Sequence, residues 1–168
     1  SLCQLWMSWC IQPDVVMGHS IGEYVAACVA GVFSLEAGLK LVTARGKLMQ
    51  ALPPGSGMVS VQATESQIHQ VLTTGACDGS IGVSIAAING PESIVLSGEN
   101  SALSIAVEQL TAAGIKTKPL SVSHGLHSQL MEPMLADFEQ VLSSVQFSLP
   151  RIKLNSNVTG KPVTHEIP

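Results

Sequence analysis

Val15-Val16-Met17-Gly18-His19-Ser20-Ile21-Gly22-Glu23 sets three apolar residues directly before a Gly-x-Ser-x-Gly motif. The apolar triplet reads as a short buried strand. Tyr24, Val25, Cys28 and Val29 then keep helical spacing up to Gly31, which is placed to end the helix. Strand, sharp turn and helix form the context in which this motif presents a nucleophile. A serine on such a turn sits in strained backbone geometry, and flanking residues without Cβ let neighbouring chain pack close to it. Ser20 is expected at a helix N-terminus, where free N–H groups and the helix dipole favour developing negative charge, with the Ile21 N–H as one oxyanion donor. The alternative is a glycine-bracketed turn that merely contains serine.

Before this stretch, Leu2, Leu5, Trp6 and Trp9 recur at spacings of three and four, as on the buried stripe of a helix. Neither a basic leader nor a small-residue cleavage site accompanies them, so the opening is expected to be an internal helix of a longer polypeptide. After Gly31, Ser34 is placed to cap a helix carrying Leu35, Leu39, Val42, Leu48 and Met49, which Pro53-Pro54-Gly55-Ser56-Gly57 ends. That cluster is the clearest boundary. Beyond it, strands are expected at 58–63, 82–88, 93–96 and 117–122, with helices at 65–73 and 102–113. The order βαββαβ is the ferredoxin-like arrangement. A third section starts at Ser123, enters a helix near 131–142 and ends in Ile152-Lys-Leu-Asn155-Ser-Asn157-Val-Thr-Gly160. The expected fold is α/β, divided into residues 1–57, 58–122 and 123–168.

Apolar residues make up 46% of the 168, charged ones 12%, and the net charge is −4, which excludes disorder and the basic footprint of a nucleic-acid binder. No apolar run reaches the roughly 20 residues needed to span a bilayer. Cys3, Cys10, Cys28 and Cys77 stand far apart, suggesting neither a zinc site nor a disulfide framework, and a cytoplasmic setting is the simpler reading.

A serine nucleophile needs a base. His19 adjoins Ser20 and is better suited to buttressing the turn; His69 and His165 read as solvated surface. His124 and His127 share a short loop, and one of them is the candidate base. A metal site at this pair lacks a further ligand at convincing spacing. Arg45 sits in an otherwise apolar helix, with Val42 and Leu48 three positions to either side. Pointing inward, it would require an anionic partner; on the surface, it would only bury its stem.

Gly18-His-Ser-Ile-Gly-Glu23, Ala44-Arg-Gly-Lys-Leu-Met-Gln50, Asn89-Gly-Pro-Glu-Ser-Ile-Val-Leu-Ser-Gly98 and Val122-Ser-His-Gly-Leu-His-Ser-Gln-Leu-Met-Glu-Pro133 together resemble the acyltransferase domains of modular polyketide synthases. They also resemble the malonyl-CoA:acyl carrier protein transacylases of fatty acid synthesis. The resemblance runs through nearly the whole chain and implies an α/β-hydrolase-like large lobe, here incomplete, with a ferredoxin-like small lobe inserted. It assigns Ser20 as the acylated serine, His127 as the general base and Arg45 as the grip on the malonyl carboxylate. His19, Ile21, His124, Leu126 and Asn89 are implied neighbours of substrate. Malonyl-CoA and the phosphopantetheine arm of an acyl carrier protein are the implied substrates, with no bound cofactor, no metal, and a ketosynthase domain as neighbour.

The family's Gly-Gln-Gly segment, which supplies a second oxyanion contact upstream of the serine, is not in this chain. Malonyl-selecting domains commonly read His-Ala-Phe-His, and methylmalonyl-selecting ones Tyr-Ala-Ser-His, where this chain has His124-Gly125-Leu126-His127. His124 and Ile21 favour malonyl, whereas Leu126 departs from the pattern. An esterase would share the serine turn, but would continue into further parallel βα units rather than a βαββαβ insertion. A non-catalytic packing or docking lobe is the remaining alternative.

Overall fold

The computed structural model describes residues 2–74, 82–122 and 124–163. Cys77, Ser123 and His165 lie outside them. Two compact units are formed, Ser1–Lys47 with Asp137–Pro168 and Leu48–Ala136.

The first unit contains α1 (Leu2–Ser8), β1 (Val15–Val16), α2 (Ile21–Ala30) and most of α3 (Leu35–Gln50). Its core joins Ala26, Ala27 and Ala30 of α2 to Val32, Phe33, Leu41 and Leu154. Alanines on the inner face of α2 let the helix lie close to its neighbours. Gly31 ends α2 in the left-handed conformation at φ 82°, where its N–H reaches the Cys28 carbonyl at 3.1 Å and the Val32 N–H reaches that of Ala27 at 2.9 Å. Ser34 caps α3 as expected, its Oγ accepting the Ala37 N–H at 3.1 Å.

Sequence periodicity did not reveal that the last section returns as a strand. Lys153–Leu154 pairs in parallel with β1, Val15 opposite Lys153 and Val16 opposite Leu154. Two residues carry too little pattern to stand out, and their partner is far away in sequence.

The expected burial of the first helix is corrected by the structure. No residue of α1 is buried, and Leu2 and Trp9 are 70% and 59% exposed. Leu2 and Trp6 of the stripe line an open apolar groove of about 760 Å³ together with Ile11, Val15, Met17 and Val25. Periodicity reports which residues share a face, not whether anything covers it.

The second unit contains β2 (Ser56–Gln62), α4 (Glu65–Thr74), β3 (Val83–Gly90), β4 (Ser93–Glu99), α5 (Asn100–Ala112) and β5 (Lys116–Pro119). The four strands are antiparallel in the order β3-β4-β2-β5. Alternation along β2 sends Val59 and Val61 to one face, opposite Leu96 and Ile94 of β4. Ile68 of α4 and Leu103 and Leu110 of α5 cover that face. Thr64 and Gln67 cap α4 reciprocally: Thr64 Oγ1 accepts the Gln67 N–H at 3.2 Å, and Gln67 Oε1 accepts the Thr64 N–H at 2.9 Å. β4 runs beyond its expected end at 96, to Glu99. β5 stops short of 122 because Pro119 has no N–H, although Leu120 still donates to the Met58 carbonyl at 2.9 Å. A short 3₁₀ turn (Gln129–Met131) leads into α6 (Glu132–Leu142), and Lys153–Leu154 is β6.

Gly31→Ala is expected to destabilise the protein by about 1 kcal/mol or more, read as a lower midpoint in urea unfolding. The new Cβ would combine a left-handed backbone with an approach of 2.6 Å to the Arg151 guanidinium. An unchanged midpoint would contradict this packing.

Candidate active site

The turn between β1 and α2 is set by one close approach. A Cβ on Gly18 would lie 2.0 Å from the Gly22 carbonyl oxygen and 2.5 Å from the Glu23 nitrogen, so only glycine permits the chain to fold back there. Gly22 differs from expectation: nothing lies within 4 Å of the Cβ it lacks, so the close approach rests on Gly18 alone. The first turn closes through Gly22 N–H to the His19 carbonyl at 2.9 Å and Glu23 N–H to the Ser20 carbonyl at 3.0 Å.

Ser20 occupies the N-cap of α2 at φ 52°, ψ −115°, and its side chain makes no capping bond. Such a conformation costs a non-glycine residue on the order of 1–3 kcal/mol and persists only when its surroundings over-determine it. The Ile21 N–H, one residue beyond the serine, has no acceptor among the described residues. His19 and Ile21 are both exposed.

α2 and α3 bring Tyr24 and Arg45 together. The Arg45 guanidinium carbon lies 6.0 Å from the centre of the Tyr24 ring, and both residues are half-buried. Arg45 therefore takes neither sequence alternative in pure form: it is stacked on an aromatic face, and no carboxylate among the described residues lies within ion-pair distance. Burial raises the Tyr24 pKa above its ordinary value; Arg45 opposes the shift and Glu23 adds to it. Glu23 is engaged elsewhere, its Oε1 accepting the Asn157 backbone N–H at 2.8 Å. The Asn157 side-chain amide donates to the Gly18 carbonyl. Sequence reasoning gave Asn157 no role, because the contact depends on the β1–β6 pairing.

In the second unit, one loop carries His124, Gly125, Leu126 and His127. His124 is buried, with Nε2 placed 3.3 Å from the Leu52 carbonyl. The Gly125 N–H donates to Ser56 Oγ at 2.7 Å, and a Cβ there would meet Ser97 Oγ at 3.0 Å and Ser56 Cβ at 3.1 Å. Ser128 Oγ donates to the Gly125 carbonyl at 2.7 Å, closing the loop. His127 is exposed and left-handed at φ 56°, unusual for a residue with a Cβ, whereas Leu126 is half-buried. The two histidines are thus distinct: one faces inward to its own unit, the other is carried on a strained, tied-down turn. Asn89 is exposed near the end of β3, outside this loop. His69 is exposed, 3.8 Å from Glu65. Among the described residues, no group of three or more His, Cys, Asp or Glu is arranged to hold a metal ion.

The chain has one tyrosine, so its ionisation is directly readable by ultraviolet titration. Tyr24 is expected to ionise above about pH 10, and Arg45→Gln to raise that value further. With the folded pKa above the unfolded one, the stabilising contribution is complete below about pH 10 and is lost as pH rises through the folded value. An ordinary value unaffected by Arg45→Gln would contradict the stacked, half-buried pair.

The chain matches the acyl transferase domain family over residues 1–166. It is 48% identical over 161 residues to mycoketide-CoA synthase of Mycobacterium tuberculosis, which covers 96% of this chain and 4% of that protein. The acyltransferase domain from the second module of the salinomycin polyketide synthase superposes with a TM-score of 0.90 at 48% identity, over 98% of this chain and 38% of that one. FabD from Acinetobacter baumannii does so with a TM-score of 0.89 at 30% identity, over 97% and 53%. The chain therefore spans about half or less of these structures and a small part of the synthase. The chain belongs to the acyl transferase domain family.

Proposed function

We propose that this chain carries the nucleophile and general base of an acyltransferase that moves a malonyl group from coenzyme A to the phosphopantetheine thiol of an acyl carrier protein. The observation that carries the reading is Ser20 itself, held at the α2 N-cap in a strained conformation with no capping bond. Family membership supports acyl transfer as the use of that serine.

Ser20 Oγ attacks the malonyl thioester carbonyl while His127 takes the hydroxyl proton. The Ile21 N–H and the α2 dipole stabilise the oxyanion. Collapse breaks the carbon–sulfur bond, and coenzyme A leaves as the thiol with the proton from His127. The carrier's thiol then attacks the seryl ester, His127 accepts its proton and returns it to Ser20 Oγ, and the malonyl thioester of the carrier departs. Arg45, lying over the Tyr24 ring with no carboxylate partner among the described residues, is the group for the free malonyl carboxylate. Leu126 borders the acyl α-carbon, and His19, Ile21, His124 and Asn89 complete the substrate's surroundings, with His124 acting mainly through its anchoring contact to Leu52.

In this reading residues 58–122 form a ferredoxin-like small lobe inserted into an α/β-hydrolase-like large lobe; they lie wholly within the second unit, which also takes in 48–57 and 123–136. The synthase relative, of which this chain covers 4%, supports a place within a larger synthase, and a carrier protein and a ketosynthase neighbour are part of this proposal. Among the described residues, no helix is long and apolar enough to cross a membrane.

In the complete acyl transferase domain, Ser20→Ala is expected to abolish malonyl loading, and His127→Ala to slow it about 10²–10⁴-fold, with a much milder effect from His124→Ala. The reading fails if His124→Ala is the more damaging, or if malonate is released equally fast with and without carrier protein, the behaviour of an esterase.

Arg45→Ala should cost malonyl transfer on the order of 10- to 100-fold while sparing acetyl, which has no carboxylate to grip. Equal losses for both would reduce Arg45 to a support of the fold. Competition between malonyl- and methylmalonyl-CoA, read as a ratio of kcat/KM, should favour malonyl by about 10- to 200-fold. Leu126→Ser should shrink that ratio and Leu126→Phe sharpen it; an unchanged ratio in both would remove Leu126 from the acyl pocket.

A further inference from the structure

We infer that Asn157 is a positioning residue for Ser20, clamping the serine turn from outside by holding its two ends at once. The inference rests on the reading of Ser20 as nucleophile. The turn begins at Gly18 and ends at Glu23, and its internal bonds, from Gly22 to His19 and from Glu23 to Ser20, secure only the middle. The Gly18 carbonyl and the Glu23 carboxylate are both met by Asn157, the first by its side-chain amide, the second by its backbone N–H at 2.8 Å. Glycine at position 18 has no side chain with which to brace itself, and none would fit.

The clamp is itself built on a fixed frame. The Asn155 N–H donates to the Val16 carbonyl at 3.0 Å, extending the β1–β6 pairing toward the turn. Buried Ser156 closes the following loop: its N–H donates to the Lys161 carbonyl at 3.0 Å, and its Oγ accepts the Val158 N–H at 3.1 Å. None of these bonds uses the Asn157 side chain. The loop therefore has its own reasons to fold, and the exposed amide is spent on Gly18. A residue that fixes the carbonyl two positions before Ser20 and the carboxylate three positions after it limits how far the Ser20 backbone can relax. Misplacement of a reacting atom by about 1 Å costs on the order of 100-fold in rate.

Rate and amplitude separate positioning from folding. In the complete domain, acylation of Ser20 is followed in the pre-steady state with malonyl-CoA and with acetyl-CoA, and a serine-directed fluorophosphonate reads the same hydroxyl without a thioester. Asn157→Ala is expected to lower the rate constant about 10- to 100-fold with all three reagents alike. The amplitude should stay at that of the unsubstituted domain, and the KM for malonyl-CoA should change little. Asn157→Asp keeps the shape, sets a carboxylate against the Gly18 carbonyl, and should be at least as slow. Unchanged rate constants in Asn157→Ala, or a fall confined to amplitude, would overturn the inference. Labelling that persists in Ser20→Ala would instead overturn the reading of Ser20, a result that Asn157 variants cannot mimic.

Discussion

The Gly22 carbonyl stands where a side chain on residue 18 would have to be, 2.0 Å from the position of its Cβ. That contact lets a parallel strand give way to a helix within a few residues and leaves Ser20 at the helix head in a conformation it would not adopt in a free chain. The cost is met by what surrounds the turn: α2 packed by its alanines onto Leu41 and Leu154, β1 paired with β6, and Asn157 fastened to both ends. The geometry of Ser20 is thus a property of the whole first unit.

The second unit follows the same logic with different materials. Its core is a one-faced antiparallel sheet under two helices, and its histidine-bearing loop is docked by a glycine whose Cβ would press on Ser97 and Ser56. Gly125 brings that loop near the sheet, Ser56 and Ser128 tie it, and His124 turns into the interior, so that His127 is carried on a left-handed turn. In both units a non-glycine residue, Ser20 or His127, occupies positive φ beside a glycine-dependent approach. Charge is scarce in this chain, and the half-buried Arg45 and Glu23 are each given a specific neighbour.

The serine turn and its helix were legible because they are local: a motif, a capping residue and a terminating glycine all act within a few positions. The βαββαβ order was legible for a similar reason, since each element carries its own period over several residues, and only ends such as β5 at Pro119 shifted. Burial of α1 was misread because spacing cannot say whether a face is covered. β6 and the role of Asn157 were invisible because they exist only through a pairing between residues well over a hundred positions apart, and no local pattern encodes a partner at that distance. Arg45 sat between two readings until α2 supplied the Tyr24 ring. The assignment of His127 over His124 came from family resemblance; in the structure His124 is buried against Leu52 and His127 is exposed.

The central claim is that the strained residue at the head of α2 is the one that carries the acyl group. The most direct test is to incubate the complete domain with malonyl-CoA in the absence of carrier protein, quench in acid, and map the acylated peptide by mass spectrometry. The account predicts a single malonyl ester on Ser20, discharged when a carrier-protein thiol is added before the quench. A malonyl group found on any other residue, or an ester on Ser20 that the thiol cannot discharge, would contradict it.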